Sequence, residues 1–486
     1  MSVYRNIGIM KNAMHLNRHA KIVCTLGPKS SSEQMIDKLI AAGMNVARLN
    51  FSHGTHDTHR QVYTRLRQRA RVWQRPLAIL QDLQGPKIRL SQLREEQNKE
   101  IQEGQLITLT LDPARQEEFV FLAEYPYLTR DVRPHDTILL DDGNISLEVQ
   151  KTKDLDVECR VIQGGLLRSR VGMNLPQSRI STPALSDKDL IDLRLGLELQ
   201  VDYVALSFVR TAKDIEQLRD IIGPNGPHII AKIERPEAVQ HLEAIIDAAD
   251  GIMVARGDLG VELDPQKVPI IQKHAIELAN HRSKPVIVAT QMLESMIESM
   301  RPTRAEASDV ANAIFDGADA VMLSAETASG QHPIRTVEMM ASIIREVESS
   351  ARYWQTKRPA PHADMNFAHA IARAAAAAES ELQVSTIVVH TMTGYTARVL
   401  SSFKPKAQIV ALSPSESAKN RMNLYWGTTA ISIQEMNNTD QLIAEIEQVL
   451  VEQKIANPGD NIIICANIPA VYGQGTNFLK LHRLKN

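Results

Sequence analysis

The chain has 486 residues, too many for one ordinary core, so about three domains are expected. A formal net charge of −2 and an aromatic content of 4% exclude a basic, base-stacking nucleic-acid protein. The three cysteines, Cys24, Cys159 and Cys465, lack CxxC spacing, which argues against a disulfide framework or zinc knuckle and for a reducing compartment. Met1 to Ala20 has no continuous apolar run and no small-residue cleavage site, and nothing in the sequence is long and apolar enough to span a bilayer. The expectation is a cytoplasmic protein with no membrane partner.

From Lys21 a pattern recurs: a short apolar run ends in a polar residue, and an amphipathic helical segment follows. The first three runs are Lys21 to Thr25, Asn45 to Asn50 and Leu77 to Asp82. After an interruption come Val201 to Ser207, Ile229 to Glu234, Gly251 to Ala255, Pro285 to Gln291 and Asp319 to Ser324. Eight alternating units argue for a closed (β/α)8 barrel, whose chemistry sits at the carboxyl ends of the strands. An open doubly wound sheet would not need an eighth unit.

The interruption, residues 86–186, alternates with period two between turn signals such as Asp142-Gly143-Asn144, and reads as a small inserted β domain. Hung from a rim loop after the third strand, it is placed to act as a lid. The barrel is therefore split into 1–85 and 187–348. Arg358-Pro359-Ala360-Pro361 reads as a linker, and residues 349–486 as a further α/β domain with runs at Ser385 to His390, Gln408 to Ser413, Gly427 to Ile433 and Asn461 to Ala466.

The strand ends carry the chemistry. Lys232 and Glu234 are two apart on one strand and point the same way. An isolated Lys-x-Glu is more often a structural ion pair. Asp258, in the turn after the next run, adds a second carboxylate, and two carboxylates suit Mg²⁺, with the lysine as a point charge for a phosphoryl group. Arg48, Asn50 and Ser52 alternate off the second run, and Arg48 can fork onto a phosphate or carboxylate. Asp82, Thr290, Gln291, Ser324 and Glu326 end other runs; singly, such hydroxyls are commonly helix caps, so the case rests on the set.

That set resembles the pyruvate kinase family over nearly the whole chain from about Lys21. The resemblance is carried by Thr25 to Pro28, Ala47 to Gly54, Asp82 to Arg89, Asp202 to Phe208, Ala231 to Glu234, Ala255 to Glu262, Ala289 to Met296 and Met322 to Thr327. It implies a (β/α)8 TIM barrel with an inserted small β-barrel lid domain and a C-terminal α/β domain, in a homotetramer. It also implies Mg²⁺-dependent (or Mn²⁺-dependent) phosphoryl transfer from phosphoenolpyruvate to ADP, giving pyruvate and ATP. By resemblance Glu234 and Asp258 are the metal ligands. Lys232, Arg48 and Thr290 are catalytic. Arg48, Lys232, Gly257, Asp258, Thr290, Ser207 and Ser324 bind substrate, and Arg89, His53 and Pro28 lie on the nucleotide side.

Many members hold a monovalent cation at positions matching Asn50, Ser52, Asp82 and Leu83, and those carry an acid where this chain has Lys87. The expectation is that the Lys87 ammonium substitutes for K⁺, which is then not required. A nucleotide-contacting lysine of several relatives is Val171 here, with Arg170 beside it. In the last domain, Thr391, Thr393, Gly394, Tyr395 and Thr396 form a hydroxyl-rich turn into a helix, with the loop Tyr472 to Thr476 expected nearby. The turn reads either as an anion site for a phosphorylated effector, sugar phosphate or nucleotide monophosphate, or as ordinary N-capping. Two other functions compete: a Mg²⁺-dependent lyase acting on pyruvate enolate, and a binding protein on a retired enzyme scaffold.

Overall fold

A computed structural model describes residues 18–93, 98–115, 117–176, 178–355, 366–435, 438–468 and 475–485. The expected linker Arg358 to Pro361, Tyr472 to Gln474 of the later loop, and the N-terminal segment before Arg18 lie outside the described residues. The first strands are β1 (Lys21–Thr25), β2 (Val46–Asn50) and β3 (Ala78–Asp82). An insertion follows with β4 (Lys99–Ile101), β5 (Leu106–Thr110), β6 (Val120–Leu122), β7 (Thr137–Leu140), β8 (Ile145–Lys153), β9 (Asp156–Gln163), β10 (Gly165–Leu167) and β11 (Met173–Asn174). The parallel series then resumes with β12 (Tyr203–Leu206), β13 (His228–Ile233), β14 (Gly251–Ala255), β15 (Val286–Ala289) and β16 (Ala320–Leu323). These two parallel groups close into a barrel of order β1-β16-β15-β14-β13-β12-β3-β2, so all eight expected runs are strands of one barrel.

Closure follows from a period of two on strands buried on both sides. Ile22, Cys24, Ala47, Ile79, Val204, Ala231, Val254, Val288 and Val321 face the surrounding helices in one cluster. Their alternates Val23, Val46, Leu80, Tyr203, Ala205, Ile230, Met253, Ile287 and Met322 fill the lumen in another. Carrying the lumen phase two residues further reaches Thr25, Arg48, Asp82, Ser207, Lys232 and Ser324. At this end the apolar lumen gives way to polar groups. The helices between strands start on side-chain caps: Ser32 Oγ accepts from Met35 N before Glu33–Ala42, and Thr303 with Glu306 forms a reciprocal box before Arg304–Asp316.

The insertion folds around its own core, with Leu109, Ile138, Leu147, Val149, Val157 and Cys159 fully buried. It consists of a six-stranded sheet, β11-β7-β8-β9-β5-β6, and a two-stranded one, β10-β4. The last domain holds β17 (Thr386–His390), β18 (Gln408–Ser413), β19 (Thr428–Ser432), β20 (Asn461–Ala466) and β21 (Phe478–Arg483), ordered β19-β18-β17-β20-β21. The sequence reading missed β21. It pairs antiparallel at the sheet edge, and its Phe-Leu-Lys-Leu-His-Arg stretch is half-exposed and basic, as edge strands tend to be.

Candidate active site at the barrel rim

At the carboxyl end of the barrel four charged side chains converge, none more than a tenth exposed. Arg48 donates from Nε to Asp82 Oδ2 at 2.6 Å and from Nη1 to Thr25 Oγ1 at 3.1 Å. Lys232 Nζ lies 2.8 Å from Glu234 Oε1 and 3.3 Å from Asp82 Oδ1, and donates to Ser207 Oγ at 2.8 Å. Ser207 in turn donates to Leu83 O at 2.7 Å. Asp82 thus bridges the two cations. Burial pushes its carboxyl up, but Arg48 and Lys232 outweigh this and leave it below the usual range. Burial would strip the Lys232 proton; Asp82 and Glu234 reverse that and hold the ammonium firmly charged.

Glu234 is fully buried. Its Oε2 accepts from Phe208 N at 2.8 Å, while Oε1 makes no well-angled hydrogen bond among the described residues despite the nearby ammonium. Burial raises its carboxyl above the ordinary value, and the neighbouring Asp258 adds to the rise. A buried carboxylate with a free lone pair and a second carboxylate beside it suits a hard divalent cation. No group of three His, Cys, Asp or Glu metal ligands exists among the described residues. Such an ion would complete its coordination from substrate oxygens and water, as Mg²⁺ does.

Across the rim, Thr290 adopts φ 69 and Gln291 φ 53, a strained region for a β-branched residue. Arg256 holds the strain in place: Nη2 donates to Thr290 O at 2.8 Å, and Nη1 pairs with Asp309 at 2.7 Å. Gly257 N–H, expected to be free for a substrate carboxylate, is given to Thr290 Oγ1 at 2.7 Å. Ser324 N bonds Glu326 Oε2 at 2.6 Å, on the same rim.

Asp258 lines a narrow cleft between barrel and insertion, with Pro86, Lys87, Met173, Arg210, Arg235 and Glu262 among its walls. Arg235 and Glu262, both buried, form an ion pair at 3.0 Å. Arg235 reaches Ser178 O at 3.4 Å, and Asn174 donates to Glu262 Oε1 at 2.8 Å. Barrel and insertion are thus clasped beside the cleft. The sequence reading passed over this clasp, because its members are up to 88 residues apart and no local pattern joins them.

The remaining expected residues fall outside the buried cluster. Asn50 and Ser52 are half-buried beside it, with Asn50 Oδ1 accepting from Ser52 N at 3.2 Å. Pro28 and His53 are exposed, and Arg89 donates to Arg170 O at 3.2 Å. Lys87 is exposed, and its Cε lies 3.7 Å from where a Cβ on Gly172 would stand, on the insertion's side of the cleft. Val171 is buried in the insertion core, and Arg170 is exposed near Gln92. Gly85, at the base of the insertion, has φ +69, and a Cβ there would meet Phe208 Cδ2 at 2.8 Å and Ser207 Cβ at 2.9 Å. Gly85→Ala is therefore expected to cost about 1–3 kcal/mol and to displace Ser207 and Phe208. A lowered midpoint on thermal unfolding together with a reduced kcat would verify this.

In the last domain, Thr391 Oγ1 accepts from Gly394 N at 3.0 Å and Thr393 Oγ1 from Tyr395 N at 3.3 Å, so both hydroxyls close the turn that leads into the helix Tyr395–Ser402, whose N-cap Gly394 has no side-chain cap. Thr396 bonds Thr476 of the later loop.

The family model of the pyruvate kinase barrel domain matches residues 17–337, and that of the pyruvate kinase alpha/beta domain residues 369–482. A pyruvate kinase of Clostridium perfringens is 40% identical over 472 residues, covering 96% of this chain and 99% of its own. One of Corynebacterium glutamicum is 41% identical over 471 residues, covering 96% and 98%. A crystal structure of a pyruvate kinase from Cryptosporidium parvum superposes with a TM-score of 0.89 at 33% identity over 96% of each chain. With both domain models matched in order on a closed eight-stranded barrel, the chain belongs to the pyruvate kinase family of phosphotransferases.

Proposed function

We propose that the chain transfers the phosphoryl group of phosphoenolpyruvate to ADP, giving pyruvate and ATP, as the last step of glycolysis in the cytoplasm. The observation that carries this reading is the buried Arg48–Asp82–Lys232–Glu234 cluster beside the Asp258 cleft. Glu234 and Asp258 would hold Mg²⁺, or Mn²⁺ in its place, and the ion would neutralise charge on the transferring group. Lys232 supplies a fixed ammonium to the phosphoryl group. Arg48, with Nη2 uncommitted among the described residues, takes a phosphate oxygen. Thr290, Gly257, Asp258, Ser207 and Ser324 orient the rest of the substrate, and Pro28, His53 and Arg89 face the nucleotide. Phosphoryl transfer needs position and charge more than covalent chemistry, and a buried, pre-paired cluster supplies both.

The insertion acts as a lid whose closed state the Arg235–Glu262–Asn174 clasp holds. The last domain carries a site for a phosphorylated effector at Thr391 to Thr396, and the assembly is a homotetramer. Lys87 takes the place of the monovalent cation beside Asn50, Ser52, Asp82 and Leu83, reaching it as the lid moves; a four-carbon stem permits the swing. The test is a single assay. Phosphoenolpyruvate, ADP and Mg²⁺ are mixed with the protein in a buffer whose only monovalent cations are bulky organic ones, and pyruvate is followed. Full activity without K⁺ is expected. No pyruvate with or without K⁺ would refute the reaction; activity strictly dependent on added K⁺ would refute the role of Lys87 alone. A lyase acting on pyruvate enolate would release no ATP, which the same mixture reports.

A further inference from the structure

The lumen of the barrel does not end in solvent. Its apolar cluster runs without a break into the last domain, joining Val46, Leu80 and Met253 to Ile387, Ala411 and Met422. The junction is Tyr203, the first residue of β12, which is fully buried. Its hydroxyl donates to Arg421 O at 2.8 Å, at the end of the helix Glu416–Met422 of the last domain, beside the Tyr425 hydroxyl. At the closed end of the lumen the Tyr203 side chain thus ties barrel to last domain, alongside the Lys21 bond to Thr428 O and the Lys404–Asp319 ion pair.

β12 has only four residues; Tyr203 and Ala205 face the lumen in one phase, and Ser207 follows two residues on, just past the strand's end. One end of this column is the Tyr203 hydroxyl; the other is Ser207, 1% exposed, which accepts from Lys232 and donates to Leu83 O. Five residues of extended chain span roughly 17 Å at most, at about 3.3 Å per residue. An extended strand is stiff along its axis, and β12 is bonded on both sides, to β3 and β13. Its axial position is set by these two ladders together with the anchor at Tyr203.

We propose that Tyr203 is a positioning residue for phosphoryl transfer. Held by Arg421 O, it adds to the β3 and β13 ladders in fixing the height of β12 in the barrel, and through Ser207 it adjusts the place of the Lys232 ammonium. This makes the last domain a structural part of the catalytic centre. The connection extends one contact further. Gly394, in the hydroxyl-rich turn, has φ +87, and a Cβ on it would stand 3.1 Å from Met422 Cγ and 3.6 Å from Tyr425 Cε2. The turn therefore packs against Met422, next to the Arg421 anchor, and against Tyr425.

The proposal rests on Lys232 acting on the phosphoryl group, an assignment decided separately by Lys232→Met. Its own test is a double-mutant cycle on steady-state kinetics with phosphoenolpyruvate, ADP and Mg²⁺. Tyr203→Phe keeps the ring and removes only the hydroxyl. It is expected to lower kcat about two- to tenfold, the range of one lost hydrogen bond, with KM for phosphoenolpyruvate within about twofold. In a Ser207→Ala background, where the relay to Lys232 is already cut, Tyr203→Phe is expected to change kcat no further. Tyr425→Phe, which loosens the same anchor from the other domain, should reproduce the non-additive loss and serves if Tyr203→Phe does not fold. A purely structural tyrosine would lower kcat equally in both backgrounds, and that result overturns the proposal. So does an unchanged kcat in Tyr203→Phe and Tyr425→Phe, or in Ser207→Ala.

Discussion

Replacing Lys232 by methionine is expected to lower kcat by about 10²–10³-fold, the usual cost of one pre-organised donor aimed at developing charge. Methionine keeps most of the aliphatic stem, so the lumen stays filled. Asp82 keeps Arg48 as its partner at 2.6 Å, which limits the loss of stability. Glu234 loses its only ion-pair partner among the described residues, and its carboxyl, already raised by burial, rises further. Binding of phosphoenolpyruvate should persist through Arg48 and the Thr290 rim, so titration calorimetry should show a complex that barely turns over. Turnover equal to the parent's would show that the ammonium does not act on the phosphoryl group.

Arg235→Ala is expected to be the most damaging change for stability. It leaves the Glu262 carboxylate buried without its partner, and breaking such a pair by removing one member typically costs about 3–5 kcal/mol. Ser178 O loses its contact as well, so the insertion should loosen, which faster amide exchange around residues 173–180 would report. The pH dependence has a definite sign. Burial raises Glu262 above its ordinary value of 4.5, with Arg235 opposing; removing Arg235 raises it further. Below the ordinary value the carboxyl is protonated both folded and unfolded, so the variant is penalised little. As pH climbs toward the raised folded value, the unfolded state ionises and the folded state does not, and stability is lost progressively. Thermal midpoints of parent and variant should therefore converge near pH 4 and separate toward neutrality. Equal separation at all pH values would mean that Glu262 is not the group left stranded.

Much of the site was legible from local spacing. Lys232 and Glu234 differ by two residues on a strand, and so do Arg48 and Asn50; an alternating backbone must place each pair on one side. The apolar runs that end in these residues also dictated the barrel. Strands buried on both faces show near-continuous hydrophobicity, and eight of them with helices between leave little choice but closure. The caps at Ser32, Ser186 and Thr303 follow from the same kind of local chemistry, one hydroxyl satisfying one orphan N–H.

Contacts between distant elements were decided by the tertiary fold, because no periodicity reports them. Asp82 as the bridge between Arg48 and Lys232 needed the closed order that sets β3 between β2 and β12. The strained Thr290 held by Arg256, the Arg235–Glu262–Asn174 clasp and the seating of Tyr203 on Arg421 are likewise products of packing. Lys87 shows the limit most plainly. Its charge and its position after the third strand are sequence facts, while the direction of its flexible stem, toward Gly172 rather than the Asp82 cluster, depends on where the insertion lies. The sequence by itself determined which residues stand at the rim and which way they face, since backbone period is local. Only the tertiary structure decided which of them touch, because partner choice depends on strand order, on the placement of the insertion and on the free energy of burying charges together.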